Sequence, residues 1–292
     1  MSLSDMTPED FGLLRDVWPD MDAGRRKDIL GWLIELSEDN LDADFDDLFR
    51  FCLGDDDPEV RAKAIEGLWE CDDRTLVTPL IALLGQDSSE NVRAAAAMAL
   101  GKFAVLSQRG KMPEKDGERI KEFLMQTIQN AGDDQELRRR AMEAVAPFNT
   151  SDIQQIIQEA YGSDQIEMRC SAVYAMGKSC DSQWLPIILA ELRSPHGVMR
   201  YEASTACGEL GEEPAVPHLI PLFEDDDHQT QQSAISAVGA IGGSLARKAL
   251  LHCLKSSDDV AVEAAQEALE ALEAGDETMS FTSDAYSPRS PR

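Results

Sequence analysis

Alanine returns along this chain at a spacing that few folds can satisfy. With Arg61 as origin, the equivalent positions are Arg93, Arg138, Arg169, Arg200, Gln231 and Val262, at steps of 32, 45, 31, 31, 31 and 31. Three residues beyond each origin stands alanine: Ala64, Ala96, Ala141, Ala172, Ala203, Ala234 and Ala265. Six beyond, the residue is always small: Gly67, Ala99, Ala144, Ala175, Ala206, Ala237 and Ala268. Seven beyond, it is apolar: Leu68, Leu100, Val145, Met176, Cys207, Val238 and Leu269. On a helix these positions form one buried stripe. Small residues within it let a neighbouring axis approach to the short end of the roughly 8–10 Å range. Larger side chains there would overpack, at about 1–3 kcal/mol each. A period of this length marks stacked structural repeats.

The helix starts are also written in the sequence. Asp57, Ser89, Asp134, Asp227 and Asp258 precede their origins by four residues, as N-caps do, and Pro58 follows at the first helical position. Glycine occupies position eight in four units, at Gly101, Gly177, Gly208 and Gly239, which suits a C-terminal cap or a close backbone crossing. Between these helices lie further apolar segments such as "TLVTPLIALL" and "QWLPIILAEL", with Pro79, Pro186 and Pro217 near their starts. Each unit therefore reads as a helical hairpin that cannot bury both faces alone and is covered by its neighbours.

The pattern D-x-x-x-V-R-x-x-A-x-x-A-L-G, as in "DSSENVRAAAAMALG" and "DDQELRRRAMEAVA", resembles the short HEAT-like repeat of the phycobilisome (PBS) lyase type. The resemblance covers residues 41–275, with 1–40 as an N-terminal helical cap in which Trp18 and Trp32 seal the first interface. It implies an all-α chain, an α/α superhelix of the HEAT-like, armadillo-type solenoid class. "TPLIAL" at 78–83 has part of an ankyrin signature, but lacks its histidine and does not recur.

The arginine at the origin falls in the first helical turn, where a cation opposes the helix macrodipole by some tenths of a kcal/mol to about 1 kcal/mol. Acidic residues in the inter-repeat turns, Asp55, Asp56, Asp87, Glu90, Asp133 and Asp164, are the expected compensation. The sequence thus predicts a ladder of aspartate–arginine contacts that fades where Gln231 and Val262 replace arginine. Two segments break the pattern. The long step inserts residues near 104–118, whose Gly110, Pro113 and Gly117 read as an exposed loop. Residues 276–292 lose all periodicity and read as a disordered tail.

Composition narrows the function. The chain carries 27 basic and 55 acidic residues, a net charge of -28, which repels phosphate backbones and anionic lipid and argues against nucleic acid and membrane as partners. It has no apolar run long enough to span a bilayer and no leader-like start. Six cysteines without a CxxC pair suit reduced, buried thiols, and so a cytoplasmic chain. No cofactor or metal is expected. A di-iron hydroxylase built on this architecture uses His-Glu pairs, but none of His196, His218, His228 and His252 is followed by glutamate. The nearest match, Tyr201-Glu202, has tyrosine in the histidine's place.

The expected function is therefore a non-enzymatic, monomeric scaffold that binds a protein or peptide on its concave helix face. A phycobilin lyase-like role in chromophore binding or transfer is the alternative implied by the resemblance. The candidate contacts are Trp69, Met98, Arg139, Arg140, Glu143, Tyr174, Lys178, Tyr201 and Glu202, on the arc opposite the buried stripe, and they predict a concave groove centred on the third to fifth units. Exposed aromatics there are best explained by a partner, and Arg139 with Arg140 form a basic island suited to an acidic anchor.

Overall fold

Alternation of small and apolar positions has its structural counterpart throughout the chain. The computed structural model describes residues 7–40, 43–132, 134–256 and 258–284, and among them are sixteen α-helices and no strand. Two compact units divide the chain, residues 1–148 and 149–292. The first holds α1 (Pro8–Val17), α2 (Ala23–Asp39), α3 (Asp46–Cys52), α4 (Pro58–Gly67), α5 (Val77–Gln86), α6 (Glu90–Gln108), α7 (Glu114–Asn130) and α8 (Gln135–Val145). The second holds α9 (Ser151–Tyr161), α10 (Ile166–Lys178), α11 (Leu185–Glu191), α12 (Gly197–Leu210), α13 (Val216–Leu219), α14 (His228–Ile241), α15 (Gly243–Cys253) and α16 (Asp259–Asp284).

Within the first unit the inner helices α2, α4, α6 and α8 pack in succession, as do α10, α12, α14 and α16 in the second. All seven alanines at position three are fully buried, and every position-seven side chain is buried. The position-eight glycines are sites of close approach, not caps. A methyl group added to Gly177 would lie 2.7 Å from Ala206 Cα on the next inner helix, and one on Gly101 would lie 3.2 Å from Ala144 Cα. The position-six alanine of one repeat thus meets the position-eight glycine of the repeat before it. Side chains of Asp57, Asp134, Asp227 and Asp258 accept the first free N–H groups of their helices, whereas Ser89 makes no such bond.

The ladder forms, with a different distribution from the one expected. Arg61 grips Asp87 with two hydrogen bonds of 2.7 Å and donates to the Asp55 carbonyl at 2.7 Å. Arg200 repeats this on Asp225, at 2.7 and 2.6 Å, and on the Ser194 carbonyl at 3.0 Å. Hydrogen bonding to Asp87 raises the Arg61 pKa. Burial would push the Asp87 carboxyl up, but the bonds from Arg61 and the Ser89 N–H hold it below its ordinary value. The Asp225 carboxyl is lowered chiefly by Arg200. The ladder does not fade at Gln231, whose amide donates to Asp258 at 3.0 Å and to the Phe223 carbonyl at 2.8 Å. It also starts earlier than expected, with Arg26 reaching Asp55 at 3.2 Å. It weakens in the middle. Arg93 reaches Asp134 only at 3.3 Å and Glu90 at 3.9 Å, Arg138 is exposed, and Arg169 has no ion pair among the described residues. The reason is the acceptor six residues before the next origin. Asp87 and Asp225 fill that place for Arg61 and Arg200, whereas Gly132 and Ser194 fill it for Arg93 and Arg169. Asp133 lies outside the described residues.

Three expectations need correction. The segment 104–118 is an exposed turn only over 109–113, where Gly110 and Pro113 lie: α6 runs to Gln108 and α7 starts at Glu114, so the remaining inserted residues lengthen both helices. Gly117 serves their crossing, since an added methyl would lie 2.0 Å from Ser107 Oγ, and Asp116 is buried and paired with Arg74 at 3.4 Å. In the cap, Trp18 is buried and donates to Asp55 at 2.8 Å, but Trp32 is exposed and seals nothing. The backbone stays helical to Asp284, so the loss of periodicity after Gly275 does not mark the end of α16. Residues 285–292 lie outside the described residues.

Candidate functional site

Side chains that leave the buried stripe converge at one place in the first unit. Between α2, α4 and α6 lies a groove of about 710 Å³, floored by Pro58, Ala62, Ile65, Ala95 and Ala99. Trp69 and Met98 stand over it, 62% and 43% exposed. Short side chains at the open positions of α4 and α6 make the hollow, and these two long ones border it. Lys27 and Glu59 pair with each other at its edge, while Lys63 and Glu66 line it without an ion-pair partner among the described residues.

Trp69 does not sit on the regular helix expected of it, but in the turn that follows α4. That turn is held from α6. Lys102 Nζ donates to the carbonyls of Trp69 at 2.6 Å and Cys71 at 2.8 Å and pairs with Asp72 at 3.2 Å, a cation at a helix C-terminus where the macrodipole favours it. Beneath it Gly67 meets the Phe49 ring so closely that an added methyl would lie 2.4 Å away. The indole is exposed on a fixed support.

The other candidate residues divide differently. Arg139 and Arg140 are not a free basic island: both bond Glu136 at 2.7 Å, and Arg140 also bonds Glu143 at 2.9 Å, within α8. In the second unit Tyr174 is half-buried beneath the Lys178 ammonium, 5.4 Å from its ring centre, and Lys178 is paired with Glu209. Tyr201 is 37% exposed, with Glu202 half-buried beside it. Its surroundings are polar: Thr205 and Ser233 hydroxyls bond each other at 2.9 Å and border a small hollow with Ser236 and Glu209. Nor is position one uniformly open, since Ala94 and Cys170 are buried. The structure therefore brings together Trp69 and Met98, and not the whole set.

Reactive groups are sparse. Burial pushes the Cys52 and Cys207 thiols up to about 12, which suits packing and not nucleophilic chemistry. All six cysteines are free, and only Cys180 is exposed. Among the described residues no helix is long and apolar enough to cross a membrane, and no three of His, Cys, Asp and Glu converge as metal ligands do.

Stacked helical hairpins joined through small residues define an α/α solenoid class. The family model for HEAT repeats matches residues 45–113 and 185–270, more than half of the chain, and the chain belongs to that family. Among solved structures, it is similar to the complex of CpcE and CpcF of phycocyanin lyase from Nostoc sp. PCC7120, at 19% identity and a TM-score of 0.50, over 78% of this chain and 94% of that one. Human deoxyhypusine hydroxylase, solved with glycerol, is similar at 19% identity and a TM-score of 0.40, over 88% of this chain and 92% of that one. Among curated proteins, none matches this sequence.

Proposed function

We propose that this chain is a non-enzymatic HEAT-repeat scaffold that binds a protein or peptide on its inner helix face, with the Trp69–Met98 groove as the principal contact. The observation that carries the reading is a large indole held in the open, on a turn pinned by Lys102, above an apolar floor. Exposing such a side chain forgoes about 1.5–3 kcal/mol of burial, and a groove of this size is what an amphipathic segment fills with its own apolar side chains. Methionine at the rim adapts to differing partner shapes. The polar face around Tyr201 offers no comparable floor. In this reading the chain acts as a cytoplasmic monomer without a cofactor.

The test is paired capture from the native host. Trp69→Ser with Met98→Ser should abolish most capture of any specific partner, whereas Tyr201→Ala should change it little. Equal capture by the double variant and the parent would defeat the groove assignment. Protein purified from that host with an absorbance band beyond 300 nm, or with stoichiometric metal, would overturn the non-enzymatic part.

A further inference from the structure

On the other side of the first unit, a second cavity of about 480 Å³ opens between α5 and α7, at the ladder slot where Arg93 lacks its aspartate. Among the described residues its lining includes Arg93 and Arg119 but no aspartate or glutamate, in a protein of net charge -28. Arg119 is exposed, has no carboxylate partner among the described residues, and touches only the Thr78 hydroxyl, at 3.5 Å. Arg93 is under-satisfied: its Nε is buried without a hydrogen-bond partner, and Asp134 and Glu90, which do not line the cavity, stand 3.3 and 3.9 Å from Nη2. Gln86 and Asn130 add two side-chain amides with no partner among the described residues. Phe123 supplies an apolar wall.

The comparison with the neighbouring slot gives this cavity its meaning. Arg61 is saturated by the two oxygens of Asp87, and the position equivalent to Asp87 in the next repeat is Gly132. The geometry points to an anion-binding site in which a ligand's carboxylate or phosphate takes the place of that missing aspartate, held by Arg93 and Arg119. A planar guanidinium binds either group through two parallel charge-assisted hydrogen bonds. The volume lies in the range of small-molecule sites, roughly 300–1,000 Å³, so the ligand is a small acid with an apolar body or a phosphoryl compound. The protein's overall negative field opposes such a ligand, but beyond about 8 Å it is screened at physiological ionic strength, leaving the two local cations to decide. This site is independent of the Trp69–Met98 groove.

Isothermal titration of the full chain, at constant ionic strength, with inorganic phosphate and separately with phenylacetate tests the site. At least one probe should saturate with a Kd near or below about 1 mM, about -4 kcal/mol. Arg119→Ala should weaken it at least tenfold and leave the ligand-free melting temperature unchanged, because Arg119 is exposed. Arg93→Lys keeps the charge, loses the fork, and should also weaken it. Phosphate alone binding identifies a phosphoryl ligand, and phenylacetate alone an apolar carboxylate. No saturation by either probe up to about 10 mM, or an Arg119→Ala variant that binds like the parent, overturns the proposal.

Discussion

Two neighbouring slots of the first unit, built from the same repeat, end up with opposite character. In one, Arg61 closes on Asp87 and the slot is filled by its own ion pair. In the next, Gly132 offers no carboxylate, Arg93 is loosely held, and a cavity with a second arginine remains. The buried alanines are alike in both, although the insertion lengthens α6 and α7 at the second. A single acceptor position thus decides whether a repeat junction serves as a structural clamp or an open cation, and stability and recognition can be exchanged there without altering the stack.

The largest effect that would sharpen this contrast is on stability. The Arg61–Asp87 side chains are only 12% and 5% exposed, so Arg61→Ala leaves a buried carboxylate without its cation and should lower unfolding free energy by about 3 kcal/mol. Arg200→Ala should do the same in the second unit, whereas Arg93→Ala should cost about 1 kcal/mol or less, as weak pairs do. Urea denaturation reads all three. Equal losses for Arg61→Ala and Arg93→Ala would break the comparison.

How much of this could be read from the chain depends on the range of the interaction. The repeat, its caps and its buried stripe are local and periodic, so Ala64 to Ala265 announce them. Trp69 and Met98 were legible as long side chains at open positions, but the place of the groove was not: the sequence centres it on the third to fifth repeats, where Arg139, Arg140 and Tyr174 are taken up by their own neighbours, and the structure puts it between α2, α4 and α6. Arg26 escaped because α2 lacks the alanine pattern, with Ile29 and Trp32 in its place, although Asp22 four residues earlier was the available signal. The pairing of Arg139 and Arg140 with Glu136 and Glu143 was within reach, since i to i+3 and i+4 spacing brings such charges together. The insertion was misread because glycine serves close crossings as well as turns. The second cavity was not legible: it depends on how α5 and α7 pack, and no period in the sequence places Arg119 opposite Arg93.

Acid should separate the clamps from the open slot with an intermediate effect. Asp87 and Asp225 have lowered pKa values in the folded chain. A carboxyl depressed on folding contributes stability that is full above its unfolded value, near 3.9, and is lost as pH falls through the folded value. The parent should therefore lose stability steeply below about pH 4. Arg61→Ala should flatten that loss, and Arg93→Ala should leave it nearly unchanged. Urea midpoints measured across acid pH for the three proteins give the slopes directly.

The smallest expected effect on stability is the most direct test of the acceptor position. Gly132→Asp puts a carboxylate at the position that Asp87 and Asp225 fill elsewhere, on a left-handed backbone of φ +57° where those two are extended at φ -67°. Aspartate enters that left-handed region more readily than most residues, at a penalty of about 1 kcal/mol. The new pair with Arg93 offsets a similar amount, so the urea midpoint should move by less than about 1 kcal/mol in either direction. Binding should not be so tolerant. With Arg93 engaged by its own chain, the cavity loses one of its two cations, and phosphate or phenylacetate affinity should fall as far as in Arg119→Ala. A variant that keeps full anion affinity would show that the absent aspartate is not what opens the slot.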